Sequence, residues 1–505
     1  MDYLQPLLPL DMHNEALQAN VRPSNWINPK PTGRYNLVVI GAGTAGLVAA
    51  AGAAGLGAKV ALIERGLMGG DCLNSGCVPS KSLISAARQI AAIRRASDFG
   101  VCMGKPEIDF PQIMERMRRM RAQLSPHDSA LRFRGLGIDV YFGEACFSGG
   151  NSIVVDGQSV QFQKACVATG ARATVPEIPG LLESGYLTNE SLFSLAELPQ
   201  RLVVLGGGPI GCEMAQCFAR FGSKVTLLDS GSQLLANDDE AAAKLVQTAL
   251  EKDGVEVLLN CTVTQVTGKG RTRELVVSGL DGEKRLQCDQ LLLSVGRTPH
   301  VEGLGLENVG VEFDVRHGVV VDDYLRTTYR HIYAAGDVCS RFKFTHAADF
   351  MSRLVIQNAL FMGRVRASKL LIPWCTYTSP EVAHVGLSLK QAAESGIEWT
   401  TYTQPFQSVD RAILDGEECG YVSVYCRKGT DRILGATVVA EHAGDMIGEL
   451  VMAMKHRIGL KKIASIIHPY PTQSEAIRKL GDQFNRQRLT PWVKSLSEKW
   501  LSWGR

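Results

Sequence analysis

Thirteen cysteines are scattered singly along the 505 residues, except that Cys72 and Cys77 stand with four residues between them in GGDCLNSGCVPSKSL. A close pair in a chain without a secreted disulfide framework points to redox exchange or metal binding rather than to a structural crosslink. Residues five apart in a regular helix have Cα atoms beyond the ~7 Å that a disulfide tolerates. Asn74, Ser75 and Gly76 are therefore expected to distort the first turn of the helix that follows. A thiolate near a helix N-terminus has a lowered pKa, making it a better nucleophile and an electron donor to a redox cofactor. Lys81, on the next turn, adds positive charge. A zinc site needs two further ligands at suitable spacing, and none is evident nearby, so no metal is expected. Two unrelated buried thiols are the other alternative.

Such a pair must be carried to a cofactor. YNLVVIGAGTAGLVAAAGAAGLGAKVALIER reads as a strand, a glycine-rich turn, a small-residue helix and a second strand. Gly41 permits the tight turn, Gly43 lets backbone approach a pyrophosphate, and Gly46 allows close helix packing, while the helix N-terminus stabilises the phosphate charge. Glu64 stands 23 residues after Gly41, where a carboxylate accepts from ribose hydroxyls. QRLVVLGGGPIGCEMAQCFARFGSKVTLLDS repeats the pattern with Gly206, Gly208, Gly211 and Asp229, the acid again 23 residues past the first glycine. Two dinucleotide sites, and hence two cofactors, follow. Asp229–Glu240 reads DSGSQLLANDDE, with no Arg or Lys to neutralise a 2′-phosphate, so NADH is expected over NADPH. In TTYRHIYAAGDV, Asp337 follows an apolar strand and is placed to bond a cofactor's ribityl or phosphate region. From about residue 371 short strands such as GYVSVYCRK and RILGATVVA precede helices, an α+β pattern.

Composition agrees with a multi-domain α/β enzyme: 45% apolar, 21% charged, 51 glycines. A formal charge of +3 from 54 basic and 51 acidic residues argues against nucleic acid. The N-terminus has no basic region before its apolar stretch, and no uncharged run reaches the ~18 residues of a membrane span, so a cytoplasmic protein is expected. The first 35 residues, ending in VRPSNWINPKPTGR, read as an extended arm. At the other end Trp492, Leu496, Trp500 and Trp503 share one helical face beside Lys494 and Lys499, a pattern for packing on the protein's own dimer or for contact with a membrane surface.

GGDCLNSGCVPSK, the two glycine fingerprints, VATGARATVPEIPG, SVGRTP and YAAGDV occur in the order found in class I flavoprotein disulfide reductases, and the chain resembles that family over about residues 35 to 482. The resemblance implies FAD at the first site, nicotinamide at the second, and a homodimer. It implies an N-terminal arm at 1–35, an FAD-binding domain at 36–180 and 298–370, an NAD(P)-binding domain at 181–297, a dimerisation domain at 371–482 and a tail at 483–505. By position Cys72 is the interchange thiol, Cys77 faces the flavin, and Lys81 pairs with Glu213. Gly70, Asp71, Thr169, Gly170 and Gly296 join the cofactor-binding set.

Within the family, glutathione reductases and dihydrolipoyl dehydrogenases place His before the second Pro of the motif that here reads HPYPTQSE. That position holds Tyr470, with Glu475 five residues on and His468 two residues upstream. Tyrosine there resembles mercuric reductases. The last cysteine is Cys426, so the vicinal C-terminal pair of mercuric reductases is missing, as is an N-terminal Cys-x-x-Cys. The expectation is a mercuric-reductase-like enzyme with a thiol, disulfide or soft-metal acceptor. Dihydrolipoyl dehydrogenase, another small-disulfide reductase, or a flavin-carrying partner-binding protein are the alternatives. Cys72 is expected to be activated by its own surroundings and Tyr470 to donate a hydrogen bond to the substrate.

Overall fold

Leu37 to Ile40 are apolar at consecutive positions, as in a parallel strand covered on both faces, and all four are buried. In the computed structural model, which describes residues 7–104, 106–280 and 282–504, they form the centre of a sheet. The first six residues of the arm and Arg505 of the tail lie outside the described residues. The chain divides into two units, one of Met1–Gly206, Cys217–Leu228 and Cys261–Leu370, the other of Gly207–Gln216, Asp229–Asn260 and Leu371–Arg505.

In the first unit β1 (Arg34–Ile40), β2 (Val60–Glu64), β3 (Asp139–Phe142), β4 (Ala145–Gly149), β5 (Ser152–Val155) and β6 (Gln158–Val167) run in the order β3-β2-β1-β6-β5-β4. The β3-β2-β1-β6 half is parallel, with Val39 opposite Leu62 and Cys166, and strand Ile332–Ala334 adds parallel to β6. Four helices bear on the site: α1 (Met12–Val21), α2 (Thr44–Gly55), α3 (Gly70–Asn74) and α4 (Cys77–Arg94). Ala45, Ala49, Ala50 and Ala53 are buried on α2, and these small side chains let helix Thr345–Leu360 approach until Ser352 Oγ donates to the Ala45 carbonyl at 2.7 Å. Strands Arg201–Leu205, Lys224–Leu228 and Gln290–Leu293 repeat the parallel arrangement for the second glycine fingerprint.

The second unit carries a five-stranded antiparallel sheet, in the order Trp374–Thr376, Glu381–Gly386, Ile433–Ala440, Tyr421–Arg427, Trp399–Pro405. Helices Ala443–Lys455 and Glu475–Gln487 bury Leu450, Ile477 and Leu480 in its core. The fold is α/β with two dinucleotide-binding units and a C-terminal α+β domain. Among the described residues no helix is long and apolar enough to cross a membrane.

The arm departs from the extended segment expected of it. Residues 12–21 are helical, and Asp11 caps them by accepting from the His13 and Asn14 amides at 3.1 and 2.8 Å. Leu17 and Val21, one turn apart, are fully buried in the first unit's core. Arg118 pairs with Asp11, and Arg121 Nη2 donates to Asn14 Oδ1 at 2.8 Å. The prolines on both sides obscure this short helix in the sequence, because its stability comes from a cap and two core contacts rather than from a long periodic pattern. Asp11→Ala should raise amide hydrogen exchange across α1 by about 5- to 30-fold, the equivalent of a lost cap worth ~1–2 kcal/mol. Unchanged exchange would mean that Leu17 and Val21 hold the helix alone.

Candidate active site

The first glycine turn is closed by backbone. Gly41 has φ +99°, and a Cβ there would fall 2.8 Å from the Ala168 carbonyl carbon. On Gly46 it would fall 2.9 Å from that of Gly41, so both positions exclude side chains. Gly43 caps α2, and Gly70 lies against it so closely that a Cβ on Gly70 would be 2.6 Å from Gly43 Cα. The Gly69 amide donates to the Ala42 carbonyl at 2.8 Å. Segment 69–70 is thereby pinned onto the turn, and Cys72 follows two residues later. Glu64 fixes the same turn, accepting from the Ala42 amide at 2.6 Å and the Gly66 amide at 2.7 Å. Burial raises its pKa, against the pull of those two amides. Asp229 repeats the clamp with the amides of Gly207 and Gly231, both at 2.6 Å. Gly206 has φ +109° and its Cβ would meet the Ser294 carbonyl carbon at 2.7 Å, whereas a Cβ on Gly208 would meet nothing within 4 Å. Gly211 is buried within helix Pro209–Phe221.

Between the cysteines the chain breaks, as their spacing requires. α3 ends at Asn74, whose amide group donates to the carbonyls of Met68 and Gly70 at 3.0 and 2.9 Å. Asn189 Nδ2 donates to the Ser75 carbonyl at 3.1 Å and Arg121 Nη1 to that of Asn74 at 2.7 Å. Gly76 carries the reversal, since a Cβ there would sit 2.7 Å from the Asp71 carbonyl oxygen. Cys72 is half-buried and Cys77 exposed.

It is Cys77, not Cys72, that opens the 18-residue α4. Its sulfur is also 3.4 Å from Thr345 Oγ1, the first residue of helix Thr345–Leu360. Two positive helix ends and a hydroxyl therefore surround that sulfur. Cys72 is treated oppositely. Its hydrogen bond to Cys77 and its burial push its thiol well above the ordinary value. A hydrogen bond from Thr345 to the same sulfur pulls the other way.

Asp71 and Asp337 meet at Arg297, which pairs with the first and lies 3.4 Å from the second. Arg297 Nη2 also donates to the Ala171 carbonyl at 2.6 Å, while its buried Nε makes no hydrogen bond. Burial raises the Asp337 carboxyl despite Arg297. Arg297 was not singled out from the sequence, although it is the one cation in SVGRTP. Thr169 uses its hydroxyl on the His300 carbonyl at 2.7 Å, and Gly170 and Gly296 have φ +69° and +120°. Glycines that leave backbone bare, a buried cation and two acids at strand ends suit dinucleotide phosphates and riboses, so these residues fit FAD. Lys81 stands one turn after Cys77 on α4.

In the second unit Glu213 is buried and accepts from the Tyr377 amide at 3.0 Å. Tyr470 is 71% exposed, and its hydroxyl donates to Asp410 Oδ2 at 2.9 Å, a bond that raises the phenol's pKa further. Its one proton is thus directed to Asp410. Glu475 pairs with Arg478 at 2.8 Å. The His468 side chain is 7% exposed, with Nε2 3.0 Å from Glu449 and Nδ1 3.1 Å from the Ile466 carbonyl. Asp410 and Glu449 lie too far along the chain from HPYPTQSE to be read with it.

The pyridine nucleotide-disulphide oxidoreductase family matches residues 35–352, and its dimerisation domain matches residues 372–480. A mercuric reductase of Staphylococcus aureus is 33% identical over 463 residues, covering 92% of this chain and 84% of its own. A dihydrolipoyl dehydrogenase of Geobacillus stearothermophilus is 34% identical over 448 residues, covering 87% and 93%. The Cu(II) complex of the HOCl-induced flavoprotein disulfide reductase RclA from Escherichia coli superposes with a TM-score of 0.80 at 30% identity, over 90% of this chain and all of that one. The fold, the paired glycine turns and these relatives make the chain an FAD- and pyridine-nucleotide-dependent enzyme: it belongs to the pyridine nucleotide-disulphide oxidoreductases.

Proposed function

We propose that the chain works as a cytoplasmic homodimer, taking electrons from NADH and delivering them through Cys72 and Cys77 to a small disulfide or a thiol-bound soft metal, in the manner of mercuric reductase. The observation that carries this reading is the pair itself, Cys77 opening α4 beside the Thr345 hydroxyl and Cys72 hydrogen-bonded to it. FAD, when bound, supplies the two-electron exchange between nicotinamide and disulfide. The turn at Gly41, Gly43 and Gly46, with Glu64, Gly70, Asp71, Asp337 and Arg297, would hold it, and Lys81 would add positive charge near its ring. Gly206, Gly208, Gly211 and Asp229 would hold the nicotinamide nucleotide.

With a disulfide acceptor, the Cys72 proton first moves to the hydrogen-bonded Cys77 sulfur, the Cys72 thiolate attacks one sulfur to form a mixed disulfide, and the expelled thiolate takes the proton back from Cys77. The Cys77 thiolate then attacks Cys72, re-forms the internal disulfide and expels the second thiolate, which takes a proton from water. No separate base is needed. The reverse reaction needs a base to deprotonate the incoming dithiol, and Tyr470, with its raised pKa, is poor at that. Mercuric reductase relatives and a Cu(II)-bound relative support a thiol-seeking metal as acceptor.

Three outcomes test this. Thr345→Val removes a hydroxyl in contact with both sulfurs, so the alkylation midpoint of the reduced pair should rise by about one pH unit; an unchanged midpoint removes Thr345 from the site. NADH should be preferred to NADPH by about 5- to 150-fold in kcat/KM, because Asp229 repels a 2′-phosphate and accepts from a free hydroxyl. Equal turnover would mean that basic residues elsewhere in the fold supply the site. Tyr470→His should gain dihydrolipoamide oxidation with a midpoint near the ~6.5 of imidazole, while His468→Ala changes that activity little. Loss of thiol chemistry in His468→Ala, with wild-type behaviour in Tyr470→Phe, would make His468 the acid-base residue.

A further inference from the structure

Helix Pro491–Ser502 buries none of its residues. Trp492, Leu496, Trp500 and Trp503 are 72%, 47%, 75% and 85% exposed. At about 100° per residue these four and Val493 fall within an arc of roughly 100°, with Lys499 on its flank and Ser495, Glu498 and Ser502 away from it; Lys494, expected beside this face, falls on the opposite side. Three indoles on one uncovered face are uncommon on a surface that meets only water. Tryptophan suits a headgroup layer, where its ring is buried and its N–H stays wet.

Charge is uneven in the same segment. Residues 486–505 hold five basic side chains, Arg486, Arg488, Lys494, Lys499 and Arg505, against one acid, Glu498, giving +4. The whole chain carries +3, so all the other residues together carry −1. A second copy seated symmetrically on this helix would set two tails of +4 against each other, whereas an anionic surface complements the charge. We propose that this helix docks the enzyme on an anionic lipid bilayer, lying in the interface with its tryptophans at headgroup depth and its basic residues on the lipid charges. The helix rests on the surface and does not span it.

The test is co-sedimentation of full-length, FAD-loaded protein with vesicles of phosphatidylcholine alone or of phosphatidylcholine doped with phosphatidylglycerol. Wild type should sediment with the anionic vesicles and not the neutral ones, and should be released as salt rises. The double substitution Lys494→Glu and Lys499→Glu, at exposed positions, should weaken binding by more than about 25-fold, about fivefold for each charge removed. Trp492→Ser, Trp500→Ser and Trp503→Ser together should abolish it, and both variants should keep NADH-driven turnover. Absence of binding by wild type, or equal binding by wild type and the charge-reversed variant, overturns the proposal. So does conversion of the tryptophan variant from dimer to monomer without any vesicle binding by wild type, which would identify a second copy as the occupant.

Discussion

The contact on which the chemistry depends is between two glycines. Gly70 rests on Gly43 with no room for a Cβ between them, and the Gly69 amide bonds the Ala42 carbonyl. The turn that fits a pyrophosphate and the segment that carries the cysteines are therefore one rigid body. A methyl group at Gly70 would push α3 away from the turn and move Cys72 with it. Gly69 and Gly70 both have positive φ, at +89° and +55°, so the path also excludes ordinary residues on conformational grounds. The spacing of cofactor to sulfur is thus set by backbone, which cannot adjust as a side chain can.

The same economy appears in the carboxylates. Glu64 and Asp229, at the ends of equivalent strands, each spend both oxygens on amides of the turn beside them. Each oxygen keeps a second lone pair for a ribose hydroxyl, so the acid shapes the turn before any ligand arrives. Arg297 plays the complementary part, with Asp71 and Asp337 neutralising a guanidinium that would be costly to bury alone.

Local features of this site were legible in the sequence and distant ones were not. The glycine turns, Glu64, Asp229 and the break between Cys72 and Cys77 follow from spacing, because each is a constraint within one βαβ unit or one helical turn. Thr345, Asn189, Arg297 and Asp410 reach their partners across 60 to 268 positions of chain, and no periodicity marks them. The polarity of the cysteine pair was hidden for a related reason. Which thiol opens a helix depends on where α3 breaks, and a boundary is the least determined feature of a sequence pattern. Helix α1 leaves little trace in the sequence because prolines flank it and its anchors are a cap, the buried Asn14 and two apolar side chains, Leu17 and Val21.

That polarity also constrains the acceptor. A reduced pair whose two sulfurs are hydrogen-bonded to one another can give two electrons and one proton to whatever Cys72 attacks. An acceptor whose leaving group is a thiolate takes that proton directly, and one bound through sulfur needs only the sulfur to exchange. An incoming dithiol has the opposite need, since it arrives protonated and must lose a proton first. His468, the nearby imidazole in HPYPTQSE, is enclosed by Glu449 and the Ile466 carbonyl, and the phenol that stands exposed has its proton drawn to Asp410. Both polar side chains of this motif thus have their hydrogen-bonding atoms engaged within the second unit, which is what the proposed direction of electron flow draws on.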